Sequence, residues 1–109
     1  MIDQQRLYDA LTLTKVRSWA NRHKPQKVAG YANEPENHPI AFYLAETFHT
    51  DISVYEDVVN LYVQDFPTPL WVVSLTRRLH ALPPSKEVIT YGDLLRILDD
   101  AEHQEGDRP

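Results

Sequence analysis

Apolar positions recur with a helical period in five stretches of the chain and with a strand period in one. Leu7, Tyr8 and Leu11 mark a helical stretch over 3–11. Val16, Trp19, Ala20 and His23 fall at i, i+3, i+4 and i+7, which predicts a helix over about 14–23 with Thr14 as N-cap and Pro25 as its stop. Ile40, Tyr43, Leu44 and Phe48 give a second face over 39–48, immediately after Pro39. Val72, Leu75, Leu79 and Leu82 give a third over 69–82, with Thr68 as cap and Pro69 in the first helical position. The last begins at Thr90, where Asp93 stands three residues on as a capping-box acid and Ile89 can pack against Leu94.

Between these helices the period changes to two. Ile52 and Val54, then Val59, Leu61 and Val63, alternate with polar residues as half-buried strands do, and Glu56-Asp57 falls at the tip of the hairpin they imply. "KVAGY" at 27–31 reads as a short extended or turn segment punctuated by Gly30. Strands that follow one another, rather than alternating with helices, argue against a parallel doubly wound sheet. The expected fold is α+β: a small antiparallel hairpin-based sheet covered by three to four helices. A single compact domain is expected over 1–102, and residues 103–109, which offer nothing apolar to bury, read as a flexible tail.

Composition narrows the chemistry more than it suggests one. No cysteine is present, which removes disulfides, thiol nucleophiles and cysteine zinc sites together and fits a reducing compartment. No apolar run is long enough to cross a bilayer, and "MIDQQRLYDA" lacks the apolar core of a signal peptide. The cytoplasm is the expected location, with no membrane partner. A P-loop, a G-x-G-x-x-G turn, a G-x-S-x-G elbow and an H-E-x-x-H pair are all absent. No motif names a reaction, and no cofactor or catalytic residue is expected.

Charge is the strongest signal. Residues 1–30 carry Arg6, Lys15, Arg17, Arg22, Lys24 and Lys27 against two acids, for +4. Residues 31–76 carry seven acids and no Lys or Arg, for −7. Either these blocks pack against one another, or the acidic one faces a partner. The acids on or beside the hairpin, Asp51, Glu56, Asp57 and Asp65, are the expected surface for a protein partner with a basic face. Such a protein would act without catalysis, as a regulator or inhibitor, in one version by mimicking the charge of nucleic acid as a phage or mobile-element accessory does. Arg17, Arg22, Lys24 and Lys27 form the alternative, a nucleic-acid contact on the basic helix end and loop.

"NEPENHP" at 33–39 is the remaining candidate. Pro39 keeps His38 out of the helical region and places it at the N-cap of the 39–48 helix, close to the acids Glu34 and Glu36. Histidine is a mediocre cap, so Glu34, Glu36 and His38 are the first place to look for a ligand or partner. Together with His49 and Asp51 they are also the basis of a second alternative, a small metal-dependent enzyme.

Two resemblances complete the reading. "LPPSKEVITYGDLLRIL", through Pro83, Val88, Thr90, Tyr91, Gly92, Asp93 and Leu94, resembles the segment that opens the DNA-binding half of alkylguanine alkyltransferases and alkyltransferase-like proteins. It covers about a dozen residues and lacks the family's Pro-Cys-His-Arg motif, so it reads as convergence on good helix-starting chemistry and no function is carried over. The pattern "VAGY…HPIAFYL…DISV" resembles small prokaryotic and phage-type proteins with a P-[IL]-A-x-Y-L helix start and a short hairpin, over most of 14–100. Many of those have a cysteine where this chain has His38. The resemblance implies the arrangement of helices and hairpin but no activity.

Overall fold

The computed structural model describes residues 2–61 and 64–106, the last six of these as backbone only. The architecture is α+β. Five α-helices and two small antiparallel sheets lie in the order α1 (Gln4–Ala10), α2 (Leu13–Asn21), β1 (Val28–Tyr31), a 3₁₀ turn (Pro35–Asn37), α3 (Pro39–Phe48), β2 (Ile52–Val54), β3 (Val58–Leu61), β4 (Gln64–Pro67), α4 (Leu70–His80), β5 (Val88–Thr90) and α5 (Tyr91–Gly106).

One sheet is a meander, β2-β3-β4. In the expected hairpin Val54 lies opposite Val59, and the Tyr55 N–H donates to the Val58 carbonyl at 2.8 Å, so Glu56 and Asp57 do form the tip. Ile52, Val54, Val59 and Leu61 turn inward, as their alternation requires. Val63 lies outside the described residues. The third strand, "QDFP", extends the hairpin: Val59 pairs with Phe66 and Asn60 with Asp65. It ends at Pro67, which an edge strand tolerates because no further ladder bond is needed there.

The second sheet was not expected. β1 pairs with β5 across most of the chain, with Val28 opposite Thr90, Gly30 opposite Ile89 and Tyr31 opposite Val88, and a bulge between Val28 and Gly30. The pairing is extended at both ends, by Ala32 N–H to Glu87 carbonyl at 2.8 Å and Tyr91 N–H to Lys27 carbonyl at 2.9 Å. "KVAGY" is therefore a strand rather than a turn, and the fold is not built on the hairpin alone. Gly30 is required by close approach: a Cβ there would lie 2.6 Å from the Asn37 carbonyl oxygen and 2.7 Å from the Pro39 nitrogen. The strand backbone thus rests directly on the start of α3.

One core joins all the elements. Leu7 and Leu11, Val16, Trp19 and Ala20, Ile40 and Leu44, Val72, Leu75 and Leu79, and Leu94 and Leu98 are buried together with the inward faces of the strands. α5 packs on both α2 and α4. Tyr8, Phe42, Phe66 and Trp71 all lean on this core rather than standing free. Tyr8 donates its hydroxyl to the Pro67 carbonyl, and Trp71 its indole N–H to that of Leu11.

Helix starts differ from expectation in two places. Thr12, not Thr14, caps α2, accepting from the Lys15 N–H at 3.3 Å, because the helix begins at Leu13. Pro69 occupies the N-cap of α4 and Leu70 opens the helix. Thr68 instead turns back to the hairpin, where its N–H donates to the Asp57 carbonyl and its hydroxyl to that of Tyr55. The capping box at Thr90 and Asp93 forms as expected, with reciprocal bonds of 3.1 and 3.2 Å. α5 continues to Gly106, past the expected domain limit at 102. Among the described residues, no helix is long and apolar enough to cross a membrane.

Candidate functional site

His38 caps α3 and is 3% exposed. Its Nδ1 accepts the Ile40 N–H at 3.0 Å, so that nitrogen carries no proton. Thr76 donates its single hydroxyl proton to the Val72 carbonyl at 2.8 Å, so across the 2.9 Å contact with His38 Nε2 it must accept. The ring is therefore the neutral Nε2–H tautomer, and the chain Nε2–H, Thr76 hydroxyl, Val72 carbonyl ties α3 to α4. Burial, with the nearby His80, pushes the His38 pKa down to about 3. Both ring nitrogens are occupied, so nothing remains to bind a ligand.

The residues expected around His38 disperse. Glu34 accepts from the Asn37 amide at 3.0 Å on the exposed 3₁₀ turn. His49 ends α3 in the left-handed conformation, with φ 55° and ψ 45°, and so stands one helix length from His38, roughly 15 Å by the rise per residue. Among the described residues no group of three metal-ligating side chains converges.

Glu36 and Asp51 do come together. Chain order puts one before α3 and the other after it, yet the 3₁₀ turn packs on β2 and both carboxylates line one groove of about 410 Å³. Ala41, Phe42 and Ala45 from α3 and Ile52 from β2 supply its apolar wall, and Ser53 and Asn60 its polar one. Asp65 lies beside it, accepting from the Asn60 amide at 2.7 Å. No Lys or Arg among the described residues pairs with Glu36, Asp51 or Asp65. The hairpin tip differs: Glu56 forms an ion pair with Arg77 of α4, while Asp57 stays exposed. The four acids grouped on the hairpin thus divide: Asp51 lines the groove with Asp65 beside it, and the tip's charge is half neutralised by Arg77.

The basic set divides as well. Arg17 reaches Asp99 of α5 at 3.0 Å. Lys24 and Lys27 are exposed on the loop before β1, where the Lys27 N–H closes a turn onto the Lys24 carbonyl. Arg22 lies on the opposite flank of α3, in a groove of about 600 Å³ between α2 and α3 lined by Thr14, Lys15, Ser18, Asn21, Tyr43 and Thr47.

An aromatic cluster, absent from the expectations above, joins α2 to α3 and α5. Trp19 meets Tyr43 and Tyr91 edge-on and donates its indole N–H to Glu46 at 2.8 Å. His23 stacks on Tyr91 with centroids 4.2 Å apart. Burial, then the Glu46 carboxylate, raises the Tyr91 pKa; burial also raises that of Tyr43, against the pull of Arg22. Trp19, Tyr43 and Tyr91 are buried, so the cluster joins α2, α3 and α5 and leaves no open cage. The i, i+4 spacing of Trp19 and His23 was its only trace in the sequence.

No protein-family model matches this chain, and no curated protein or solved structure shows significant similarity to it.

Proposed function

We propose that this chain is a small non-enzymatic interaction protein that binds a basic protein partner in the groove between α3 and β2. The supporting observation is the pairing of Glu36 and Asp51 on a groove with an apolar wall and no basic residue paired to either. A lysine or arginine side chain fits both properties: its methylene stem lies against Phe42 and Ala45 while its charged head reaches a carboxylate. Asp65 and Asp57 extend the negative field along the sheet and raise the rate of encounter with such a partner. The partner's role, including inhibition of a nucleic-acid-binding protein, belongs to the same reading.

An oligolysine peptide is the simplest probe. Binding should weaken steeply as salt rises from about 50 to 500 mM, since the contacts are charged and rim-exposed. Glu36→Lys with Asp51→Lys should abolish it, whereas Glu56→Lys should leave most of it, because Glu56 already has Arg77. Salt-independent binding, or equal loss in the two variants, would remove the groove from the proposal.

A further inference from the structure

The groove between α2 and α3 has an inventory opposite to that of its neighbour. α2 presents Thr14, Ser18 and Asn21 at i, i+4 and i+7, with Lys15 and Arg22 beside them, so one face of the helix carries two cations, two hydroxyls and an amide. Tyr43 and Thr47 of α3 complete the wall, and none of the lining residues is an acid. The side chains of Thr14, Ser18, Asn21 and Arg22 make no hydrogen bond or ion pair among the described residues. Lys15 donates to the Asp9 carbonyl at 2.7 Å, which holds its ammonium in place and leaves two of its three protons free. The nearest acids lie outside the lining and keep their charge, Asp9 accepting from Gln5 and Glu46 from Trp19.

Such a set of donors exceeds what a carboxylate can use. A carboxylate is matched by the two parallel N–H groups of one arginine, whereas a phosphate has more oxygens and up to two charges to satisfy. The groove is shallow and open to solvent, with a volume of about 600 Å³ that leaves room for a phosphate group. A nucleic-acid duplex is disfavoured, because the acidic groove lies on the other flank of the same helix and would repel its backbone. We propose that the groove between α2 and α3 binds the phosphate group of a small phosphorylated molecule, with Arg22 and Lys15 as charge partners and Ser18, Thr14 and Asn21 as neutral donors.

Inorganic pyrophosphate, titrated into the ¹⁵N-labelled full chain at low salt, tests this directly. Saturable amide shifts should be confined to residues 14–22 and 43–47. Arg22→Ala should weaken binding about tenfold, the scale of one charge-assisted pair. Ser18→Glu, which adds a carboxylate while both cations stay, should abolish it. Lys24→Ala and Lys27→Ala, equally exposed but outside the groove, should leave it unchanged. All four positions are exposed, so circular dichroism should report an unchanged fold. Absence of saturation, or equal sensitivity to Lys24→Ala and Arg22→Ala, would overturn the assignment and reduce it to general charge attraction. A single-stranded oligonucleotide that binds more tightly than pyrophosphate and depends on Lys24 and Lys27 would overturn it in favour of nucleic acid.

Discussion

The two flanks of α3 share a helix and little else. Toward β2 the helix offers Ala41, Phe42 and Ala45 to a groove rimmed by carboxylates. Toward α2 it offers Tyr43 and Thr47 to a groove of cations and hydroxyls. The charge blocks of the sequence, +4 over 1–30 and −7 over 31–76, thus each give one groove its character. The described ion pairs run elsewhere, from Arg17 to Asp99, from Arg77 to Glu56, and from Lys86 and Arg96 to Asp93. What separates the two grooves is one helix with a buried core side, and what holds that helix is a small number of anchors at its start.

Those anchors give the largest expected effects, because losing them disturbs both grooves together. Gly30→Ala forces a methyl into the Asn37 carbonyl and the Pro39 backbone, neither of which can yield as a side-chain tip does. It should cost about 3 kcal/mol or more in urea unfolding, in the range reserved for backbone clashes and lost packing. Wild-type stability in that variant would mean that β1 does not seat α3.

His38→Asn keeps a competent cap but loses the bridge to Thr76 and leaves space in the core. A loss of about 2 kcal/mol is expected. The pH dependence is more specific. The folded ring stays neutral down to about 3, while the unfolded ring protonates below 6.5. Between those values the unfolded state binds the extra proton. Stability attributable to this residue is therefore complete above 6.5 and falls with acidity, approaching tenfold in the folding equilibrium per pH unit. The slope should be shallower in His38→Asn by that residue's share, as denaturant titrations at pH 7, 6 and 5 would reveal.

Asp93→Ala removes a capping-box partner and the contacts to Lys86 and Arg96, so thermal unfolding should report a loss of about 1 kcal/mol. Burial alone would raise the Asp93 pKa, but the hydrogen bonds from Lys86 and Thr90 prevail and hold it at about 2. Because the folded value is depressed, its contribution is present above 3.8 and is lost as pH falls from there toward 2. The smallest effect belongs to the rim. Glu56→Gln breaks only the exposed pair with Arg77 and should change stability by less than about 1 kcal/mol, less still in high salt.

Local chemistry was legible in the sequence, and tertiary meetings were not. The span of α3, the Glu56-Asp57 tip and the Thr90/Asp93 box each follow from residues within a few positions of one another. Thr12 and Thr14 offer the same cap two residues apart, and only the packing of Leu13 against the core selects the earlier start. "QDFP" has no alternation of its own and becomes a strand because β3 offers it an edge. β1 and β5 are four and three residues long, too short to announce each other. Glu36 and Asp51 appear together in the expected metal site, but that they share a groove without His38 depends on the 3₁₀ turn meeting β2, which no local pattern encodes.

The β1–β5 ribbon also sets an order of events. Tyr31 and Val88 are paired although 57 positions separate them. On a chain emerging from the ribosome, β1 has no partner until those residues have been made, and α2 lacks the helix that covers it for equally long. The hairpin and α3 can form from neighbours in sequence and already offer Tyr43 to Trp19, while the sides of α2 and β1 that face α5 and β5 wait uncovered. Non-local pairing of this kind is slow to close in general, so closure of that long loop is the expected slow step, and the apolar faces of α2 and β1 stay open until it occurs.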